Sequence, residues 1–262
     1  MMCDWVIDIG WIGSRCSGAK EVSSDSPTAF ALSVITAQLN YERTEPSSRK
    51  TSQEIRSMPP RFQLFYSPQS PYVRKVVIAA RVLGLNDRIE RIPSKPGEVA
   101  PPPDLIAIPA LVVLPEDGSA PKQTVFDSSI ILQYLDTVAE KKDTLYPPSS
   151  SPERITTLNY EALADGVMDA AWLFRAEILR PESLRSDQWI SGQNNKIRRG
   201  IEALAKRPLP EFPSAQAVVL AVTLWYLTRR VPDFAWQTVE GGILEGWYKR
   251  AVQHPAWVDE GE

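Results

Sequence analysis

Residues 61–84 read RFQLFYSPQSPYVRKVVIAARVLG. Phe62, Leu64 and Tyr66 alternate with Gln63 and Phe65, a period of two that suits a β-strand. The run Ser67-Pro68-Gln69-Ser70-Pro71 forms a loop and ends in a helix start, with Ser70 as N-cap and Pro71 at the first helical position. Val73, Val76, Val77, Ala80 and Leu83 follow at helical spacing, and Gly84 is a good stop. The chain therefore opens its folded part with a strand that passes through a short loop into a capped helix.

Working downstream, residues 88–92 read as a second strand and residues 95–104 as a proline-rich, irregular segment. Residues 109–114 and 123–126 are a third and a fourth strand, with Gly118 at the turn between them. Ser128 then caps a helix whose apolar positions are Ile131, Tyr134, Leu135 and Val138. Residues 140–152 form a polar, proline-bearing linker. Beyond it no strand pattern occurs, and helices are expected over 152–180, 182–206, 214–230 and 240–252. Upstream, the polar run Ser23-Ser24-Asp25-Ser26-Pro27 and a second over 43–57 flank one short apolar piece at 30–39. Residues 1–57 read as a disordered extension, and Met58, just before the first strand, as a candidate natural start. The expected organisation is an extension (1–57), an α/β domain (58–139), a linker (140–152) and an all-helical domain (153–262).

Composition narrows the chemistry. The chain has 262 residues, 29 basic against 32 acidic, and a formal charge of −3. That balance makes no electrostatic case for nucleic acid or an anionic membrane. The one histidine, His254, excludes multi-histidine metal sites and leaves little room for Ser-His-Asp or Cys-His catalysis. The two cysteines, Cys3 and Cys16, lie near the start, so the rest of the chain can carry no disulfide framework, CxxC pair or zinc-thiolate site. No metal is expected. The N-terminus lacks a positive n-region, and the most apolar later stretch, 215–227, is shorter than the ~20 residues of a spanning helix. A soluble, cytoplasmic protein is expected.

Three motifs then carry a resemblance. They are Ser70-Pro71-Tyr72-Val73-Arg74-Lys75 at the first helix, Ile108-Pro109-Ala110-Leu111 at the third strand, and Phe126-Asp127-Ser128-Ser129-Ile130-Ile131 between the fourth strand and its helix. In this order and spacing they resemble a cytosolic glutathione S-transferase. The fold so implied is an α/β thioredoxin-like N-terminal domain followed by an all-α helical C-terminal domain. The stretch 161–170, EALADGVMDA, looks like the corresponding helix of a bacterial-type serine/cysteine subgroup. The resemblance covers about 60–250 and implies glutathione as co-substrate, a small electrophile as second substrate, and a homodimer.

The resemblance also implies a role for each motif. Ser70 stands where the family carries its serine or cysteine, and its hydroxyl would donate to the sulfur of bound glutathione, favouring the thiolate together with the helix dipole. By spacing alone Ser70 is an N-cap, and Tyr66, Ser67 and Tyr72 are nearby hydroxyls open to the same contact. Pro109 resembles the family's cis-proline, which lets Ile108 show its N–H and C=O to an extended peptide. Read alone, Pro109 is an ordinary trans proline at a strand start. Asp127 and Ser128 stand where the family binds the γ-glutamyl end, Asp127 facing an ammonium and Ser128 with the free helix N–H groups facing a carboxylate. Read alone, the pair is a helix cap. Lys95 lies where the family often has a side chain for the glycine carboxylate, although the prolines around it set no register and a solvated lysine is the plain reading.

Met168, Trp172 and Arg175, at i, i+4 and i+7, would line the second-substrate pocket. Read alone, Trp172 is core packing, and Glu161, Asp165 and Asp169 form a like-charged, solvated face. Arg74 and Lys75 read as surface charges, and His254 as non-catalytic. One departure stands out. The family's buried helix usually begins Ser/Thr-x-x-Asp, and here Ser214 is followed at that place by Ala217. The function implied is glutathione conjugation to a small electrophile, with a non-catalytic binding or interaction module of the same fold as the alternative. A glutaredoxin-like or dehydroascorbate reductase chemistry is disfavoured, because it needs a protein cysteine that this region lacks.

Overall fold

The computed structural model describes residues 61–94, 107–115, 123–140 and 144–257. Expectations for residues 1–57, with Cys3 and Cys16, and for Lys95 lie outside the described residues. Four strands, β1 (Phe62–Tyr66), β2 (Ile89–Pro93), β3 (Ala110–Val113) and β4 (Gln123–Val125), form one sheet in the order β2-β1-β3-β4. β1 runs parallel to β2 and antiparallel to β3, and β3 runs antiparallel to β4. Helices α1 (Pro71–Val82) and α2 (Ser128–Val138) cover one face. This is the thioredoxin-like half.

The period of two in β1 is what splits its side chains between two cores. Phe62 and Leu64 pack with Val73, Val76 and Val77 of α1 and with Ile131, Leu132 and Leu135 of α2. Phe65 points to the other face and packs with Ala110 and Val112 of β3. The helical half consists of α3 (Pro152–Ile178), α4 (Asp187–Ala205), α5 (Ala215–Arg230) and α6 (Ile243–Ala251). α5 is its central element, buried without interruption over 217–227. The apolar run therefore builds a core helix, and among the described residues no helix is long and apolar enough to cross a membrane.

Some boundaries differ from the sequence reading for local reasons. The helix expected over 182–206 divides into a 3₁₀ turn, Glu182–Leu184, and α4, because Ser186 caps α4 by accepting from the Trp189 N–H at 3.3 Å. The helix expected from 240 begins at Ile243, since Glu240, Gly241 and Gly242 all hold left-handed φ of 48°, 71° and 82°. The linker is no free tether. Leu145 and Tyr146 are buried, and the Leu145 carbonyl accepts from the N–H of Ala215 at the start of α5.

The largest correction concerns α1. Arg74 and Lys75, read as surface charges, are 7% and 0% exposed. α1 lies between the sheet and the helical half, so a face that looks polar in sequence is covered by α3 and α5. The Arg74 guanidinium sits 4.1 Å from the ring of Trp225 and 5.0 Å from that of Trp257, a buried cation between two indoles.

Candidate functional site

The strand register gathers the three motifs. Phe65 of β1 pairs with Ala110 of β3, so the residue before Ala110, Pro109, lies across from Tyr66, where the loop to Ser70 leaves the sheet. Leu111 pairs with Val125, which carries the end of β4 and then Asp127 to the same edge. Both α1 and α2 begin there, so two helix N-termini with their unsatisfied N–H groups converge on one end of the sheet.

Each residue there has a definite local state. Ser70 is half-buried and caps α1, its Oγ accepting from the Val73 N–H at 3.3 Å. That contact uses one lone pair and leaves the hydroxyl hydrogen to donate. Tyr66 ends β1, with its ring packed on the α1 core. The Ile108–Pro109 peptide is cis, as the resemblance implies. Pro109 is buried, and Ile108 packs beside Phe65. The α2 cap is Asp127, not Ser128: Asp127 Oδ1 accepts from the N–H groups of Ser129 and Ile130 at 3.0 and 3.3 Å. Ser128 is the first helical residue and is 3% exposed.

The acidic residues of α3 are not a solvated face. Glu161 is 2% exposed and Asp165 is half-buried. Lys75 Nζ donates to both Asp165 oxygens, at 2.6 and 2.9 Å, and lies 3.9 Å from Glu161 Oε1. Ser129 Oγ donates to Asp165 Oδ2 at 3.0 Å, and the Tyr146 hydroxyl donates to Glu161 Oε2 at 2.9 Å. Burial pushes the Glu161 carboxyl above its usual range, opposed by Lys75 and reinforced by the charge of Asp165. Tyr72 is likewise pushed up, first by burial and then by donating to Asp169, so it stays a protonated donor. The i, i+4 carboxylates are tolerated because a buried cation and hydroxyl donors face them.

The second-substrate candidates divide. Met168 is wholly buried in the helical core, so it backs its helix and lines no open surface. Trp172 is 53% exposed, which corrects the core-packing reading. Arg175 is half-buried. His254 is remote from these residues in its contacts, its ring 4.6 Å from that of Phe212.

Residues 69–138 match the family model for the glutathione S-transferase N-terminal domain. The chain is 32% identical over 144 residues to the uncharacterized GST-like protein YibF of Escherichia coli K12, spanning 54% of this chain and 67% of that protein. It is also 35% identical to a glutathione transferase family member from Pseudomonas fluorescens Pf-5 solved with bound S-(propanoic acid)-glutathione, with a TM-score of 0.65 over 75% of this chain and 96% of that one. The chain belongs to the glutathione S-transferase superfamily. A further glutathione S-transferase of the same fold, from Methylobacterium radiotolerans in complex with glutathione sulfonate, is 28% identical, with a TM-score of 0.64 over 76% of this chain and 93% of that one.

In this member of the superfamily, the sequence reading takes Lys75 for a surface charge and Asp165 for part of a solvated face, and gives Ser129 and Tyr146 no role of their own. One signal was available. A stripe of three carboxylates at i, i+4 spacing is unfavourable without cations, and so calls for a buried partner from another element. Among the described residues no three His, Cys, Asp or Glu side chains are grouped to hold a metal ion.

Proposed function

We propose that this chain is a glutathione transferase that binds glutathione across the end of the sheet and presents its thiolate to a small electrophile. The observation that carries the reading is the register that brings Ser70, cis-Pro109 and Asp127 to one edge beside two helix N-termini. In relatives at 35% and 28% identity the bound molecules are glutathione derivatives, which supports the same ligand here. Ser70 donates to the sulfur while the α1 dipole favours the anion. Each unit by which the thiol pKa falls corresponds to about 1.4 kcal/mol. The Ile108 backbone pairs with the cysteinyl portion, and Asp127 takes the γ-glutamyl ammonium. Ser128 and the first N–H groups of α2 take the γ-glutamyl carboxylate, and Lys95 the glycine carboxylate.

The thiolate then forms a bond from sulfur to an electrophilic carbon. The displaced electron pair departs with a leaving group, or is protonated after addition to a conjugated double bond. The propanoic acid substituent on glutathione in the P. fluorescens relative supports a small electrophile bearing a carboxylate. Trp172 and Arg175 are the aromatic and cationic side chains for it. Ser70 at the sulfur position supports the bacterial-type serine/cysteine subgroup, and the family membership supports a cytoplasmic homodimer.

Calorimetric titration of glutathione, paired with conjugation assays on a panel of electrophiles, tests the reading. Wild type should bind, Asp127→Ala should lose that binding, and Ser70→Ala should stay folded while conjugating about 10²-fold more slowly. Absence of wild-type binding at millimolar glutathione would refute the transferase assignment. A second reading, a binding module without turnover, is favoured by the capping bond from Val73 to Ser70, which explains that serine without chemistry. Glutathione binding with no conjugation of any electrophile would select it.

A further inference from the structure

Asp165 of α3 reaches both helices of the glutathione edge, and Glu161 one turn before it faces Lys75 and Ser129 as well. Toward α1 Asp165 receives Lys75 Nζ at 2.6 and 2.9 Å, and Lys75 is 0% exposed. Toward α2 its Oδ2 accepts from Ser129 Oγ at 3.0 Å. Ser129 in turn has its backbone N–H held by Asp127 Oδ1 at 3.0 Å. Lys75 lies five positions beyond Ser70 on α1, and Ser129 two positions beyond Asp127. A short chain of polar contacts therefore runs from α1, at Lys75, through Asp165 and Ser129 to Asp127 at the end assigned to the γ-glutamyl group.

We propose that Asp165 is a positioning residue which, through Lys75 and Ser129, sets the spacing between the α1 and α2 ends of the glutathione site. The inference rests on the glutathione reading above. Glutathione is held at both ends by different helices in that reading, so a small shift of α1 against α2 costs one contact or the other. A misplacement of about 1 Å can cost about 10²-fold in rate. Apolar packing alone resists such sliding weakly, because side chains can repack at small cost. An ion pair to a wholly buried lysine, with a hydroxyl donor fixed beside it, is directional. The neighbouring Glu161 is itself held by Tyr146 from the linker, so the carboxylate pair on α3 is fixed from a third side.

The test uses the full 262-residue chain. Lys75 also faces the buried Glu161, and removing Lys75 or Asp165 singly strands a buried charge, so the pair is replaced together by Lys75→Met with Asp165→Leu in a Glu161→Gln background, which leaves no charge of the cluster unpaired. Ser129→Ala breaks only the link to α2, and Ser129→Thr keeps the hydroxyl. Thermal unfolding, glutathione titration calorimetry, and pH titration of the bound thiolate by its ultraviolet absorbance are measured on each. Ser129→Ala should melt within a few degrees of wild type yet bind glutathione about tenfold more weakly, with Ser129→Thr restoring affinity. The triple variant should fold, bind about tenfold more weakly, and titrate its bound thiol at higher pH than wild type. Wild-type binding with both Ser129→Ala and the triple variant within twofold of it would overturn the inference alone. A wild type that binds no glutathione would overturn the glutathione reading and this inference with it.

Discussion

At Glu161, burial and chemistry pull against each other. The carboxyl is 2% exposed, with Lys75 at 3.9 Å on one side and the Tyr146 hydroxyl at 2.9 Å on the other. Burial is the largest influence and raises its pKa above the ordinary 4.5. A carboxyl raised in the folded state binds its proton more tightly there than in the unfolded chain. Its favourable contribution is complete below the unfolded value and is lost as pH rises through the folded value. Stability should therefore fall with pH across the window that opens near 4.5. Glu161→Gln, which cannot ionise, should flatten that fall, as read from denaturant midpoints between pH 4 and pH 8. An unchanged slope would place the charge burden elsewhere in the cluster. Residue identity also sets the roles of the two serines at helix starts. Ser70 is a cap and can donate further, whereas Ser128 cannot cap because Asp127 already does so.

Among the elements, α3 and α4 approach each other closely at Gly200. A Cβ there would overlap Val167 Cγ2, and Val167 is 2% exposed. Glycine in mid-helix costs about 1 kcal/mol relative to alanine, so its presence marks a packing need that outweighs propensity. Gly200→Ala should therefore destabilise the protein despite the better helix former, by about 1–3 kcal/mol from overpacking. Val167→Ala in the same chain should recover part of the loss, the coupling being read from a double-mutant cycle of denaturant midpoints. Additive losses would mean that the helices had already moved apart. At the start of α5 the departure from the family pattern also has a local account. Ser214 Oγ accepts from the Ala217 N–H at 3.2 Å and donates to the Glu211 carbonyl at 2.8 Å. Ser214 therefore caps the helix alone. Ala217 is 0% exposed, so the small side chain fits a site closed by packing. Ser214→Ala should cost about 1 kcal/mol of unfolding free energy.

For the whole molecule, the two halves share buried contacts rather than a hinge. Ile78 of α1 belongs to the helical core, and Ala215 of α5 belongs to the thioredoxin-like core. The Lys75–Asp165 pair and the Arg74–Trp225–Trp257 stack tie α1 to the helical half. The halves should accordingly unfold together, with tryptophan fluorescence and far-ultraviolet circular dichroism giving coincident denaturant transitions. Separate midpoints would show that the interface carries little energy. The proposed homodimer should sediment at about twice the 29.3 kDa of one chain. Much of this architecture was legible in the sequence. Alternation in 62–66, the Ser70-Pro71 helix start, Gly84 and the apolar run of 215–227 act over a few residues, where backbone sterics and capping decide the outcome. The sequence by itself thus determined the order of strands and helices and the three motifs of the candidate site. Only the tertiary structure decided which polar side chains are buried. Lys75 pairs with a carboxylate 90 residues away, and Ser129 with one 36 residues away. It also decided that Met168 is core while Trp172 is exposed. Those outcomes depend on how the helical half docks on α1, and docking joins residues whose separation along the chain hides their contact from any local pattern.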